Sequence, residues 1–304
     1  MQATSTLPAR RWRFGWRERR ALAGLLFVLP TWLVWVFWTA GPALSTFALS
    51  FTNWNLLGAP IWTGAGNYLK LVDDPLFLLS FRNSLVYTLI FTPTGIILAL
   101  TLAILIDGTT RFREYYRVAY FLPVVTSVAA SAILWKWLYQ PSFGLINTAL
   151  SLVGIAGPSW LNDRSTALLA IGIMDVWQGL GFTITIFLAG LQSIPPSLYE
   201  AAKIDGATKL QQAFRITIPL LRGTALFVSV IGVANAFQVF SQVFIMTRGG
   251  PAYASSTLAY YLYVAAIQRF QMGYAATIAV VIFLLVFVVT LAQLKFFRQS
   301  EADL

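Results

Sequence analysis

Six stretches of the chain carry long, nearly unbroken runs of apolar side chains, centred in Ala21 to Ala43, Ser84 to Ile106, Val118 to Tyr139, Ala167 to Leu191, Thr224 to Met246 and Tyr274 to Phe296. Each reaches the roughly 20 residues that a helix needs to cross a bilayer. The runs are continuously apolar and do not alternate, which disfavours a β-barrel. The pattern predicts an all-α membrane protein with six transmembrane helices, in one domain over residues 21–298 between a basic tail at 1–20 and a short tail at 299–304. A basic start followed by Ala21 to Pro30 resembles a signal peptide, but the apolar run continues through Trp32, Trp35 and Trp38, past the length of such a segment, so an uncleaved first helix is expected.

The segments between the runs differ in kind. Thr52 to Phe81 mixes Trp54, Trp62, Tyr68, glycines, prolines and the pair Asp73-Asp74, and reads as a structured loop with short interfacial helices. Gln140 to Ser165 is similar, with Gly144, Gly154, Gly157 and Pro158 as turn formers. After the fifth run, TRGGPAYASSTLAYYLYVAAIQRFQMGYAAT combines a Gly-Gly-Pro breaker with an aromatic amphipathic helix expected to lie against the outer interface.

Residues 193–221, SIPPSLYEAAKIDGATKLQQAFRITIPLL, are polar enough to stand apart: Glu200, Lys203, Asp205, Lys209 and Arg215 interrupt an otherwise apolar chain. Ser197 and Glu200 have the spacing of a capping box, Gly206 permits a turn, and Thr208 with Gln211 repeats the box, so two short helices with a kink are expected. On helix physics alone the hairpin is either a surface read by another protein or a plain linker.

Composition and charge fix the surroundings. The chain is 58% hydrophobic and 11% charged, with a mean hydropathy of +0.72, far from the roughly 25% charged residues of a soluble domain. The net charge of +10 would suit nucleic acid if it were gathered in one patch. Instead the cations fall in alternate segments: Arg10, Arg11, Arg13, Arg17, Arg19 and Arg20, then Arg111, Arg113 and Arg117, then Lys203, Lys209, Arg215 and Arg222, then Lys295 and Arg298. The positive-inside rule places those segments, both termini and residues 193–221 in the cytoplasm, and makes nucleic-acid binding a poor reading.

Several chemistries are excluded. There is no cysteine and no histidine, so thiolate sites, His-based metal motifs and His triads are absent, and no metal site is expected. No G-x-x-x-x-G-K-[ST] loop occurs, and Asp175 is the one acid well inside a span, so no catalytic residues are assigned and an enzyme is not expected. A self-sufficient secondary transporter or channel is the serious alternative, although it would need more intramembrane charge than Asp175 and an interfacial Lys136.

Two groups are candidates for a substrate pathway. In the fifth span Asn235, Gln238 and Gln242 fall on one helical face, with Ser241 beside them among Phe237, Phe240 and Phe244. Amides next to aromatic rings suit the hydroxyls and apolar faces of a sugar, and equally suit hydrogen bonding between helices. In the fourth span Asp175, Trp177 and Gln178 form the second group, where the acid is either functional or paired structurally.

Glu200-Ala201-Ala202, Asp205-Gly206-Ala207, Ile216 and Ile218-Pro219 together resemble the EAA loop of the membrane subunits of binding-protein-dependent ABC importers. FTNW at Phe51 to Trp54, GNYLKLVDD with NSLVYT, FLPVV at Phe121 to Val125, and RGGP with YLYVAAIQRFQMGYAAT are similar to the carbohydrate-uptake branch, the maltose and glycerol-phosphate importer type. That resemblance implies a multi-pass inner-membrane permease whose loop 193–221 docks as a coupling helix in a groove of an ATPase. It implies a second related permease subunit, two cytoplasmic ATPase subunits that carry ATP and Mg, an extracytoplasmic solute-binding protein and a carbohydrate-type substrate, with no cofactor bound by this chain. No large extra outer domain is present, so the shorter permeases are the nearer match.

Overall fold

The computed structural model describes residues 16–108 and 113–302. Arg10, Arg11, Arg13 and Arg111 lie outside the described residues. The chain separates into two compact units, Met1–Ala48 and Leu49–Leu304. The first contains helix α1 (Trp16–Trp35), a π-helical turn over Val36–Ala40, and most of α2 (Gly41–Leu49). Together Arg20–Leu49 make one 30-residue apolar run, with Pro30 inside α1.

In the second unit, strands β1 (Thr52–Asn53) and β2 (Ile61–Trp62) pair antiparallel, and helix α3 (Gly66–Asp73) follows. The segment expected as a structured loop with short interfacial helices thus also contains a small hairpin. Asp74 then caps the long α4 (Pro75–Asp107), accepting from the backbone N–H of Leu76 at 2.9 Å and of Phe77 at 3.3 Å. Asp-Pro at a helix start is favourable because proline needs no partner for a missing N–H. The second span therefore begins nine residues before the apolar run does, at Pro75 instead of Ser84.

Helices α5 (Arg113–Val125) and α6 (Val128–Leu138) were expected as one span. They are bent by 107° at Thr126 and Ser127. Ser127 has extended backbone, and the Thr126 hydroxyl turns back to the Pro123 carbonyl at 2.6 Å. After α7 (Leu145–Leu152) comes α8 (Ala167–Gln192), then α9 (Pro196–Ile204), α10 (Lys209–Gln212) and α11 (Ile218–Leu220), the last two joined by a π-helical turn. Helix α12 (Arg222–Phe237) departs from that run at 67°, and α13 (Ser241–Met246) follows a break. Helix α14 (Leu258–Tyr263) extends through a π-helical turn to Gln268, and α15 (Met272–Ala302) runs through the boundary expected at 298. Among the described residues, four helical runs are long and apolar enough to cross a membrane, and the two bent pairs bring the number to six if each is one span.

Helix α8 is the centre of packing, in contact with α4, α5, α6, α12 and α13. Glycine makes this possible. A Cβ on Gly172 would stand 2.1 Å from the Phe91 ring of α4, and one on Gly181 would stand 2.2 Å from the Tyr120 carbonyl of α5. Helix α14, expected on the outer interface, is instead buried: Leu258, Tyr260 and Tyr261 sit in the main apolar cluster with Phe77, Tyr139 and Ile278. The NSLVYT motif explains this placement. Asn83 donates to the carbonyls of Tyr253 at 3.2 Å and Ser256 at 3.0 Å, and Ser84 accepts from the Leu258 N–H at 2.9 Å. A polar start to α4 therefore holds the whole segment inward.

Asp74, at the start of α4, meets α14 and α15: its carboxylate accepts from the hydroxyls of Tyr261 and, at 2.6 Å, Tyr274. Arg269 donates to the Tyr261 oxygen at 3.1 Å. Burial alone would raise the Asp74 carboxyl, but the two tyrosines and the two backbone N–H groups outweigh it and hold it below the ordinary carboxylate range.

Two outcomes check this packing. Gly181→Ala should lower the thermal midpoint of the detergent-purified protein by an amount equivalent to about 1–3 kcal/mol of overpacking. Gly179→Ala, whose Cβ would meet nothing within 4 Å, should not lower it, and equal losses would disprove the tight α5–α8 contact. A depressed folded pKa means that Asp74 stabilises the fold above the ordinary carboxylate pKa of about 3.9, and that this contribution fades as pH falls through the folded value. The midpoint difference between wild type and Asp74→Asn should accordingly be largest near neutral pH and shrink in acid. A difference constant from neutral to acid pH would rule out the ionised carboxylate as its source.

Candidate functional site

Asp175 lies in the third turn of α8, between Gly172 and Gly181, and faces α4 and the break after α12. The Tyr87 hydroxyl donates to its Oδ2 at 2.8 Å, and Nε2 of Gln242 donates to its Oδ1 at 2.6 Å. One carboxylate thus joins α4, α8 and α13. Tyr87 is fully buried and Gln242 nearly so, so both donors are held in place by packing.

Beside Asp175 opens a cavity of about 280 Å³, bounded by α4, α8 and α12. Its polar lining is Tyr87, Thr92, Asp175, Thr183 and Asn235, and its apolar lining includes Phe91 and Ile231. Chain direction orients it. Tyr87, Asp175 and Asn235 mark one end, and Ile96, Thr183 and Val228 mark the end nearer residues 193–221.

The expected pathway residues separate. Asp175 and Asn235 meet in this cavity. Gln242 reaches it only through Asp175, because α12 ends at Phe237 and the face expected to run from Asn235 through Gln238 to Gln242 does not exist. Gln238 is exposed and donates to the Ala234 carbonyl of its own helix at 3.1 Å. Ser241 opens α13 and stands outside the cavity lining. Gln178 turns the other way, donating to the Thr126 carbonyl at 3.1 Å at the bend between α5 and α6. Trp177 packs on Trp135 with ring centroids 5.5 Å apart. Tyr87 was not singled out from the sequence, although a lone tyrosine inside an apolar run was its signal.

The hairpin 196–221 is built by local rules, with one correction. No box forms between Ser197 and Glu200, because Pro196 takes the first helical position and leaves Ser197 inside the first turn. The second box does form: the Gln211 N–H donates to the Thr208 hydroxyl at 3.3 Å, and the Thr208 N–H donates to Gln211 Oε1 at 2.8 Å. Helix α9 ends in a Schellman cap. The Ala207 N–H donates to the Ala202 carbonyl at 2.8 Å and the Gly206 N–H to that of Lys203 at 3.1 Å, with Gly206 at φ +74°. Tyr199 and Thr217 join the two arms through their hydroxyls at 2.9 Å. Leu191, Ile194 and Leu221 anchor the base in an apolar cluster with Ala99, Ala103, Ile184 and Phe187. Glu200, Ala201, Lys203, Ile204, Asp205, Lys209, Leu210 and Phe214 are left exposed, and Ala202 and Ala207 are half-buried.

Long apolar helices thus surround a polar centre, with an exposed helical hairpin at one end. Residues 83–299 match the family described as binding-protein-dependent transport system inner membrane component. The chain is 33% identical to the probable ABC transporter permease protein YurN of Bacillus subtilis (strain 168), over 91% of this chain and 97% of that one. It is 33% identical to the sulfoquinovosyl glycerol transport system permease protein SmoG of Agrobacterium fabrum, over 84% and 82%, and 31% identical to the sn-glycerol-3-phosphate transport system permease protein UgpA of Yersinia pestis, over 90% and 94%. A crystal structure of a bacterial ABC transporter involved in the import of the acidic polysaccharide alginate shares the fold, with a TM-score of 0.83 and 22% identity over 93% of this chain and 98% of that one. This chain belongs to the family of binding-protein-dependent transport system inner membrane components.

Gln242→Leu should leave one Asp175 oxygen without its donor and cost about 1–3 kcal/mol. Gln238→Leu should stay within about 0.5 kcal/mol of wild type. Unfolding midpoints of the purified variants decide, and equal effects would contradict the separation of the two amides.

Proposed function

We propose that the chain is the permease subunit of an ABC importer for a carbohydrate or a carbohydrate derivative, delivered by an extracytoplasmic binding protein. It pairs with a second related permease and with two cytoplasmic ATPase subunits that bind ATP and Mg, and both its termini face the cytoplasm. The observation that carries this reading is the family match over residues 83–299, a range that includes the entire hairpin and the Asp175 cavity. Relatives named for sugar derivatives support the carbohydrate-derivative class.

The hairpin supports the coupling role. Its exposed face combines charge at Glu200, Lys203 and Asp205 with apolar Ile204, Leu210 and Phe214, a mixture suited to a helix seated in a groove of another protein. In alternating access, closure of the ATPases moves this hairpin and opens the cavity outward, and hydrolysis resets it. Asp175 and Asn235 line the path, where their acceptors and the Asn235 amide meet sugar hydroxyls.

Gly206→Val tests the coupling. A Cβ there would meet nothing within 4 Å in this chain, so the substitution acts through the left-handed backbone, which costs a side-chain-bearing residue roughly 1–2 kcal/mol. The variant should reach the membrane while ATP-driven uptake and substrate-stimulated ATPase activity in reconstituted vesicles fall sharply. Gly206→Asn should lose less, since asparagine tolerates that conformation. Full uptake by Gly206→Val, or accumulation of substrate by the wild-type chain without ATPase subunits, would overturn the coupled-permease reading.

A further inference from the structure

The cavity beside Asp175 is charged on one side only. Among the described residues, Asp175 is its one carboxyl, the phenol of Tyr87 is the other titratable group, and no Lys or Arg lines it. Both carboxylate oxygens accept hydrogen bonds, from Tyr87 and from Gln242, and such donors favour the charged form. A carboxylate oxygen can accept twice, so lone pairs remain on the half-buried acid for a guest. The neighbouring polar groups, Asn235, Thr92 and Thr183, are neutral, and Tyr87 and Phe91 supply ring surface. Such a lining satisfies hydroxyl donors and apolar ring faces. A second negative charge would meet Asp175 in a poorly screened site, with no cation in the lining to offset the repulsion.

Resting on the reading of the chain as a carbohydrate permease, we propose that Asp175 is a specificity-determining residue. It admits sugars without negative charge by accepting their hydroxyls, and it rejects phosphorylated, sulfonated or carboxylated ones.

The test uses the absence of cysteine from the sequence. Thr183→Cys places a single thiol in the cavity wall. In unsealed membranes containing the assembled transporter, its modification is timed with a cationic probe, trimethylammonioethyl methanethiosulfonate, and an anionic one, sulfonatoethyl methanethiosulfonate. Each rate is divided by that of a free thiol in solution. The cation-to-anion ratio should lie well above one, fall about tenfold when Asp175→Asn removes the unit charge, and persist with Asp175→Glu. A ratio near one in Thr183→Cys alone overturns the proposal whether or not Asp175→Asn accumulates. The same ratio in Asp175→Asn, or no reaction with either probe, also overturns it.

A transport arm separates this inference from the functional reading. Full-rate uptake of an anionic sugar through the cognate binding protein would remove the charge rule and leave the carbohydrate permease standing. Uptake of a non-carbohydrate, with the probe ratio intact, would remove the substrate class and leave the cavity's charge.

Discussion

Two apolar helices in hydrocarbon gain little by exchanging lipid for each other, so close backbone approach has to supply the attraction. In this protein it does so along α8. Gly172 lies under the Phe91 ring and Gly181 against the Tyr120 carbonyl, and neither position has room for a methyl group. These two contacts fix α8 against α4 on one side and α5 on the other. Asp175 stands between them, so its carboxylate is positioned by helix packing before any hydrogen bond is counted.

Breaks in helices at membrane depth must find partners for the carbonyls they release. The bend between α5 and α6 frees the Thr126 carbonyl, which accepts from Gln178. The break between α12 and α13 frees that of Val239, which accepts from the Thr257 hydroxyl at 2.6 Å. Both partners come from elsewhere in the chain. Polar residues in these spans therefore divide into those that repair backbone and those, such as Asn235, that face the cavity.

That division marks where the sequence stops being readable. Apolar length pointed to the long helices, and the turn and capping residues of 193–221 pointed to its short ones, because each depends on neighbouring residues. The turn at Gly206 reads correctly for a local reason: it is the left-handed residue of a Schellman cap whose carbonyls belong to Ala202 and Lys203. Helix continuity was misread twice, in Val118 to Tyr139 and in Thr224 to Met246, since the groups that make those breaks affordable lie far away at Gln178 and Thr257. Periodicity consequently set Gln238 and Gln242 on one face when a break separates them. The Asp175 cluster was legible as an anomaly, while its partners Tyr87 and Gln242 emerge only from the packing of α4 and α13.

The hairpin's cap, its Thr208 box and the Tyr199–Thr217 bond all close among its own residues. Its shape is therefore set without help from outside the chain. A protein docked there would have the exposed side chains of Glu200, Lys203 and Ile204 to order, and no backbone to refold. Preorganisation of this kind lowers the entropic penalty of association, so a small contact area on such a surface suffices for binding.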